Sequence, residues 1–389
     1  MRKVVRNIKH IVQDMDKPLL FISIALFVFG LLNIVTASSS EAVTSEAPLY
    51  YYFYQQLKML MAGLVVSIII FCYDTKKYKP LALLGFIAIL GLLLYLSMYG
   101  TDHRGSRNWI ALPIIGRVQP SEFAKPVMIV CLALLFERFY ARLRNKKINH
   151  YDMIGIILFV GLSYPAIVFL QKDFGTMFIL FMIFFVMFLG SPILRIDKIK
   201  TFIFLFVLAI FAGLVLLSTK GYILSPEQMD RFNFFNPCSN YEEGGYQTCN
   251  GFIAINDGGA FGLGGGKSKQ KYSYIPEPHT DSVFAIIVEE QGFFKSLIIF
   301  LGYIIILKRI LSLSSRANTL RGRYICLGVA TYIFMHIFVN LGGLFGIMPL
   351  TGVPNPFLSY GGSFTISLII SLALVQRIHI ETKRQKIKV

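Results

Sequence analysis

The residues of this 389-residue chain that could do chemistry gather in a few short polar stretches between long apolar runs. One reads Pro276-Glu277-Pro278-His279-Thr280-Asp281 and stands just before an apolar segment that begins at Val283. A carboxylate in that place suits general-base work, where a side chain must reach a substrate proton. Its plainer role is that of a helix-start residue, stabilised by capping and the helix dipole. His279 and Glu277 beside it suggest a metal, but the spacing matches no zinc motif. Glu289 and Glu290 follow eight and nine residues after Asp281, about 12 Å further along a helix and turned by about 80° and 180°. Glu289 is thus expected to face the same cavity as Asp281. Alternatively both carboxylates pair with buried bases, since acids at membrane depth are costly when unpaired.

Two further stretches carry Arg and Lys, whose charges suit phosphate oxygens, Arg as a planar fork and Lys as a point charge. The first holds Arg104, Arg107 and Trp109, then Arg117, Glu122 and Lys125; the second holds Lys267, Lys269 and Lys271, just before Pro276. Glu122 and Lys125 stand three apart and can also form a local helical pair. Asp173 is read either as a site residue or as a turn or cap residue.

These residues need a scaffold, and the composition says which kind. The chain is 55% hydrophobic and 15% charged, with 35 Phe and one Trp, where soluble domains carry roughly 25% charged residues. A net charge of +17 suggests nucleic acid, but most of it lies in short gaps between apolar runs, which argues against nucleic-acid binding. Runs of the length a bilayer needs occur at 19–38, 58–73, 81–98, 126–141, 153–170, 176–190, 201–218, 283–307, 325–345 and 364–378. The expectation is an all-α integral membrane protein of about ten transmembrane helices, one polytopic domain over 1–389. Residues 1–18 and 379–389 are its end segments, and a long extracellular loop, 219–282, lies between helices seven and eight. Placing the N-terminus inside puts 26 of the 38 Lys and Arg in inner segments, so both termini are expected in the cytoplasm.

The long loop contains Gly258 to Gly266, a run no regular helix tolerates. It is either a flexible linker or an ordered backbone that approaches something closely. Cys238 and Cys249 lie in the same loop, outside the reducing compartment, and are expected to form a disulfide. Cys72, Cys131 and Cys326 read as small apolar residues. No phosphate-binding loop of the G-x-x-x-x-G-K-[ST] type occurs, so neither a nucleotide nor an organic cofactor is expected.

Four motifs resemble the SEDS family (FtsW/RodA/SpoVE) in order and spacing. They are Gly105-Ser106-Arg107-Asn108-Trp109 with Gln119-Pro120-Ser121-Glu122-Phe123-Ala124-Lys125, then Asp173-Phe174-Gly175, then Pro276 to Asp281, and last Thr351-Gly352-Val353-Pro354 with Ser359-Tyr360-Gly361-Gly362-Ser363. The stretch Ser268 to Asp281, which ends in the third motif, is closer in its lettering to the FtsW/SpoVE branch than to RodA. The resemblance implies a bacterial cell-membrane glycosyltransferase that joins lipid II into peptidoglycan strands outside the membrane and releases undecaprenyl diphosphate. It implies Asp281 as the catalytic base. Arg104, Arg107, Trp109, Glu122, Lys125, Asp173, His279, Glu289 and Ser359 become substrate-binding positions, with Trp109 either an interfacial anchor or a platform under a sugar ring. A divalent cation (Mg²⁺ or Mn²⁺) bridging Asp281 and diphosphate fits this chemistry. The implied partners are a class B penicillin-binding protein acting as transpeptidase, divisome or elongasome proteins, and membrane lipid. A lipid II flippase and a non-catalytic scaffold are the rival readings.

Overall fold

The computed structural model describes residues 11–100, 106–112, 116–144, 150–218, 234, 236–272 and 274–387. Arg104, one of the expected phosphate-binding residues, lies outside them. Each of the ten apolar segments is helical. In chain order the helices are α1 (Lys17–Ala37), a short α2 (Ser39–Thr44), α3 (Tyr51–Cys72), α4 (Tyr78–Tyr99), α5 (Pro120–Arg144), α6 (His150–Leu170), α7 (Phe174–Gly190) and α8 (Arg195–Ser218). After the long loop, which contains α9 (Tyr246–Gly258), come α10 (Val283–Arg316), α11 (Leu320–Leu344) and α12 (Gly362–Ile387). A two-stranded antiparallel hairpin, β1 (Ile110–Leu112) with β2 (Gly116–Val118), precedes α5, with Ile110 opposite Val118.

Seven of these helices (α1, α3, α4, α6, α10, α11 and α12) are long and apolar enough to cross a membrane by themselves. The molecule is therefore a multi-pass membrane protein. Helix α7 is shorter at 17 residues. Helix α5 carries Glu122 and Lys125 near one end and Glu137 and Arg138 near the other. It tolerates them because it runs through the protein centre rather than through lipid, with Ala124, Met128, Ile129, Leu132, Ala133 and Phe136 all fully buried. The apolar stretches of α11 and α12 are 83% buried and that of α3 only 17%, so α5, α11 and α12 form the core and α3 faces lipid.

The Gly-rich run is not a linker. Helix α10 is interrupted at Gly292, where φ is +80°, and a break strands the backbone groups on either side of it. Residues 259–264 fill that notch. The N–H groups of Phe293 and Phe294 donate to the carbonyls of Gly259 (2.9 Å) and Ala260 (3.3 Å), while Leu263 and Gly264 donate to the carbonyls of Glu289 and Glu290, each at 2.9 Å. A Cβ at Gly262 would lie 2.4 Å from backbone atoms of residues 290 and 291, and one at Gly292 would lie 2.4 Å from the Gly262 nitrogen. Gly292 itself is buried, where a stranded backbone group needs such a partner within the protein.

Gly262→Ala and Gly292→Ala are each expected to lower stability by about 1–3 kcal/mol from the positive φ alone, before any collision. Gly265→Ala, with open space around it, should be neutral. Thermal melts of the three variants in detergent check this, and equal melting temperatures would contradict the clasp.

Candidate active site

Asp281 sits in the turn ahead of α10, half-buried. Its Oδ1 accepts hydrogen bonds from Thr280 Oγ1 (3.2 Å) and from Gln247 Nε2 on α9 (3.3 Å). Its backbone carbonyl accepts one from Asn340 Nδ2 on α11 at 2.7 Å. On its other side lies Gly352, where a Cβ would stand 4.0 Å from Asp281 Oδ2. That position is exposed and has a φ of +70°, so glycine makes the turn and puts no side chain beside the carboxylate.

Asn340 also donates to the Val353 carbonyl (2.8 Å), and its own Oδ1 accepts from Asn355 Nδ2 (2.8 Å). Tyr303 on α10 donates to Asn355 Oδ1, and Ser359 Oγ accepts from the Asn355 N–H at 2.7 Å. Ser359 is 2% exposed. It therefore shapes the 349–361 loop from inside, and its hydroxyl is not presented to a ligand.

The loop beside Asp281 is seated on a second polar hub. Asp173 caps α7 by accepting the Thr176 N–H (3.1 Å), and its Oδ2 accepts from Asn108 Nδ2 (2.7 Å) and Gln119 Nε2 (2.9 Å). It is a cap residue that also organises the hairpin loop. Gly175, in the first turn of α7, packs so tightly on the loop that a Cβ would lie 2.8 Å from Thr351 and Val353. The Asp173 motif, the 351–353 loop and Asp281 thus meet at one end of the molecule. Arg107 and Arg117 are exposed on the same hairpin loop, and Trp109 is 36% exposed beside them.

Glu122 and Lys125 are joined at 2.6 Å and almost completely buried. Lys125 Nζ lies 2.9 Å from His336 Nε2, and His336 Nδ1 lies 3.2 Å from the Pro354 carbonyl. The arrangement fits a His with its proton on Nδ1, donating to Pro354 and accepting from Lys125. The local pair is real, and it anchors the 349–361 loop from below rather than lining an open cleft.

His279 is buried between Tyr52 and Tyr360, with ring centroids 4.4 and 5.4 Å away. Burial pulls its pKa down to about 4, so the imidazole is neutral at pH 7, and it packs under the turn that carries Asp281. Glu289 differs from expectation. Its oxygens accept from Ser268 Oγ and from the N–H groups of Lys269 (2.8 Å) and Gln270 (3.4 Å). The helical rotation that placed it beside Asp281 assumed a helix from residue 281, whereas α10 begins at Val283. Glu290 pairs with the buried Lys271 at 3.1 Å, the buried-base alternative.

Cys238 and Cys249 are bonded, with Cα atoms 4.9 Å apart, pinning the turn before α9 to its first turns. Reduction should loosen the loop by roughly 2–3 kcal/mol. Thiol blocking followed by mass spectrometry should leave both cysteines unlabelled until reduction, and labelling in the native protein would show the bridge absent.

Gln247, Asn340 and His336 were not singled out from the sequence. The last two had a signal: they stand four apart on α11, a polar pair on one face of a largely apolar helix. Among the described residues no cluster of three or more His, Cys, Asp or Glu is assembled. A cation here would rest on Asp281 as its single protein carboxylate and take its other ligands from phosphate and water.

Comparison with known proteins follows this geometry. The chain is 30% identical over 398 residues to the probable peptidoglycan glycosyltransferase FtsW of Bacillus subtilis, covering 97% of this chain and 93% of the relative. It is 31% identical over 376 residues to the protein of the same name from Dichelobacter nodosus (95% and 91% covered). Stage V sporulation protein E of Bacillus subtilis is 29% identical over 371 residues (92% and 95%). Among solved structures, a chain from a peptidoglycan synthase complex that coordinates polymerization and crosslinking superposes with TM-score 0.72 at 24% identity (95% and 98%). RodA, the rod shape determining protein of Thermus thermophilus, superposes with TM-score 0.65 at 22% identity (94% and 96%). The family signature of the FtsW/RodA/SpoVE cell cycle proteins matches residues 17–384, and the chain belongs to that family.

Proposed function

We propose that this protein is a peptidoglycan glycosyltransferase that polymerises lipid II at the outer face of the membrane and releases undecaprenyl diphosphate. The observation that carries the reading is Asp281: a half-buried residue whose carboxylate accepts from Gln247 of α9 and whose backbone carbonyl accepts from Asn340 of α11, with Gly352 adding no side chain beside it. As base it takes the proton of an attacking sugar hydroxyl while that oxygen bonds to the anomeric carbon and the bond to diphosphate breaks. Thr280 and Gln247 donate to Oδ1 and so fix the direction in which the carboxylate faces. The exposed cations Arg107, Lys267 and Lys269 offer charge for the departing diphosphate. Lys271, tied to Glu290, does not. A divalent cation on Asp281, if bound, supplies the same charge stabilisation. In this reading both termini are cytoplasmic, and the names of the relatives favour the division and sporulation side of the family.

Purified protein, lipid II and Mg²⁺ or Mn²⁺, with products resolved on a gel, tests the reading. Ladders of glycan are expected; lipid II moved across vesicles without polymer would instead support a carrier, and neither activity a scaffold. The implied partner is a class B penicillin-binding protein, as suggested by the synthase complex whose chain shares this fold. Polymerisation is expected to be weak alone and stronger with the cognate transpeptidase. Equal rates in both mixtures would count against that partnership.

A further inference from the structure

A cavity of about 190 Å³ opens at the far end of α10, lined by Arg309, Arg316, His379, Thr382 and Lys383 with Leu313. Arg309 lies 16 residues beyond Phe293, about 24 Å along the second part of α10 after its break at Gly292, and the first part, from Val283, adds to that span towards the bilayer core's thickness of about 30 Å. The cavity therefore belongs to the headgroup zone opposite Asp281. Its carboxylates are already committed. Asp16 takes Arg309 Nε at 2.9 Å and Nη2 at 2.6 Å, and Asp14 takes Lys383 at 2.9 Å and Arg384 at 3.1 Å. Four formal positive charges thus stand against two negative ones. The side chains of Arg316, His379 and Thr382 make no hydrogen bond or ion pair within the described residues, so the cavity keeps donors to spare. The same helix leads up to the cavity along a lipid-facing strip, with Leu301, Ile304, Ile305 and Leu311 between 45% and 58% exposed.

We propose that this cavity binds an anionic phosphate group, that of a phospholipid whose acyl chains lie along the exposed face of α10. Basic pockets between helices at a membrane face suit such headgroups. Free inorganic phosphate shares the chemistry but has no use for the apolar strip.

The test uses the full-length protein, delipidated and mixed with equal phosphatidylglycerol and phosphatidylcholine, with retained lipid counted by native mass spectrometry. The wild type should retain phosphatidylglycerol in preference. Arg316→Gln combined with His379→Gln should lower that retention about five-fold, the value of roughly one surface cation, without changing phosphatidylcholine retention. Should the double variant melt early, Arg316→Gln alone, at an exposed position, carries the comparison. Equal retention by wild type and variant, or no preference between lipids, overturns the site. A thermal shift from inorganic phosphate as large as that from phosphatidylglycerol overturns the lipid assignment.

Discussion

Asp281→Asn is expected to reduce glycan polymerisation by about 10²–10⁴-fold, the usual contribution of a general base, and to leave the folded protein intact. The separation of the two effects follows from the geometry. Asn340 grips residue 281 through its backbone carbonyl, which the substitution does not touch. An Asn side chain keeps an oxygen for Thr280 and Gln247 but cannot take a proton. The variant should therefore melt with the wild type in detergent while making little or no polymer from lipid II. Near-normal polymerisation by this variant would falsify the base assignment. A melt lowered together with activity would place Asp281 among the structural caps.

Lys125→Met is expected to cost about 3–5 kcal/mol of stability, because it breaks a buried ion pair and leaves one charge uncompensated. Glu122 is the charge left behind: its Oε2 has no hydrogen-bond partner among the described residues, and Oε1 loses the lysine at 2.6 Å. His336 also loses the donor at its Nε2, so the 349–361 loop that carries Gly352 should slacken. Removing both charges in Glu122→Gln with Lys125→Met should recover much of the loss, since a matched neutral pair carries no stranded ion. Thermal melts of the two single variants and the double variant measure this. A double variant less stable than either single one would mean that the pair is needed as charges rather than as a buried balance.

The helical segments were legible because the signal for them is local. Some twenty apolar residues in a row must satisfy their own backbone in lipid, and a helix does so. The i,i+3 spacing likewise announced the Glu122–Lys125 pair, and the junction of a polar loop with an apolar run placed Asp281 at a membrane face. The remaining features depend on partners far apart in the chain. Glu289 looked like a cavity residue until the Gly-rich loop folded back and claimed its carboxylate through residues 268–270. The glycines of that loop announced close approach without saying to what, and only the broken backbone at Gly292 supplies the answer. Ser359 and His279 were read from their motifs as ligand contacts, and their burial, set by the loop and by Tyr52 and Tyr360 around them, had no signal in the sequence. Asp173 and Gln119 are 54 residues apart, and Asp281 and Asn340 59, spacings that no helical or strand period links. Hydropathy marks which residues leave water, whereas the pairing of buried polar groups is settled by which helices pack side by side.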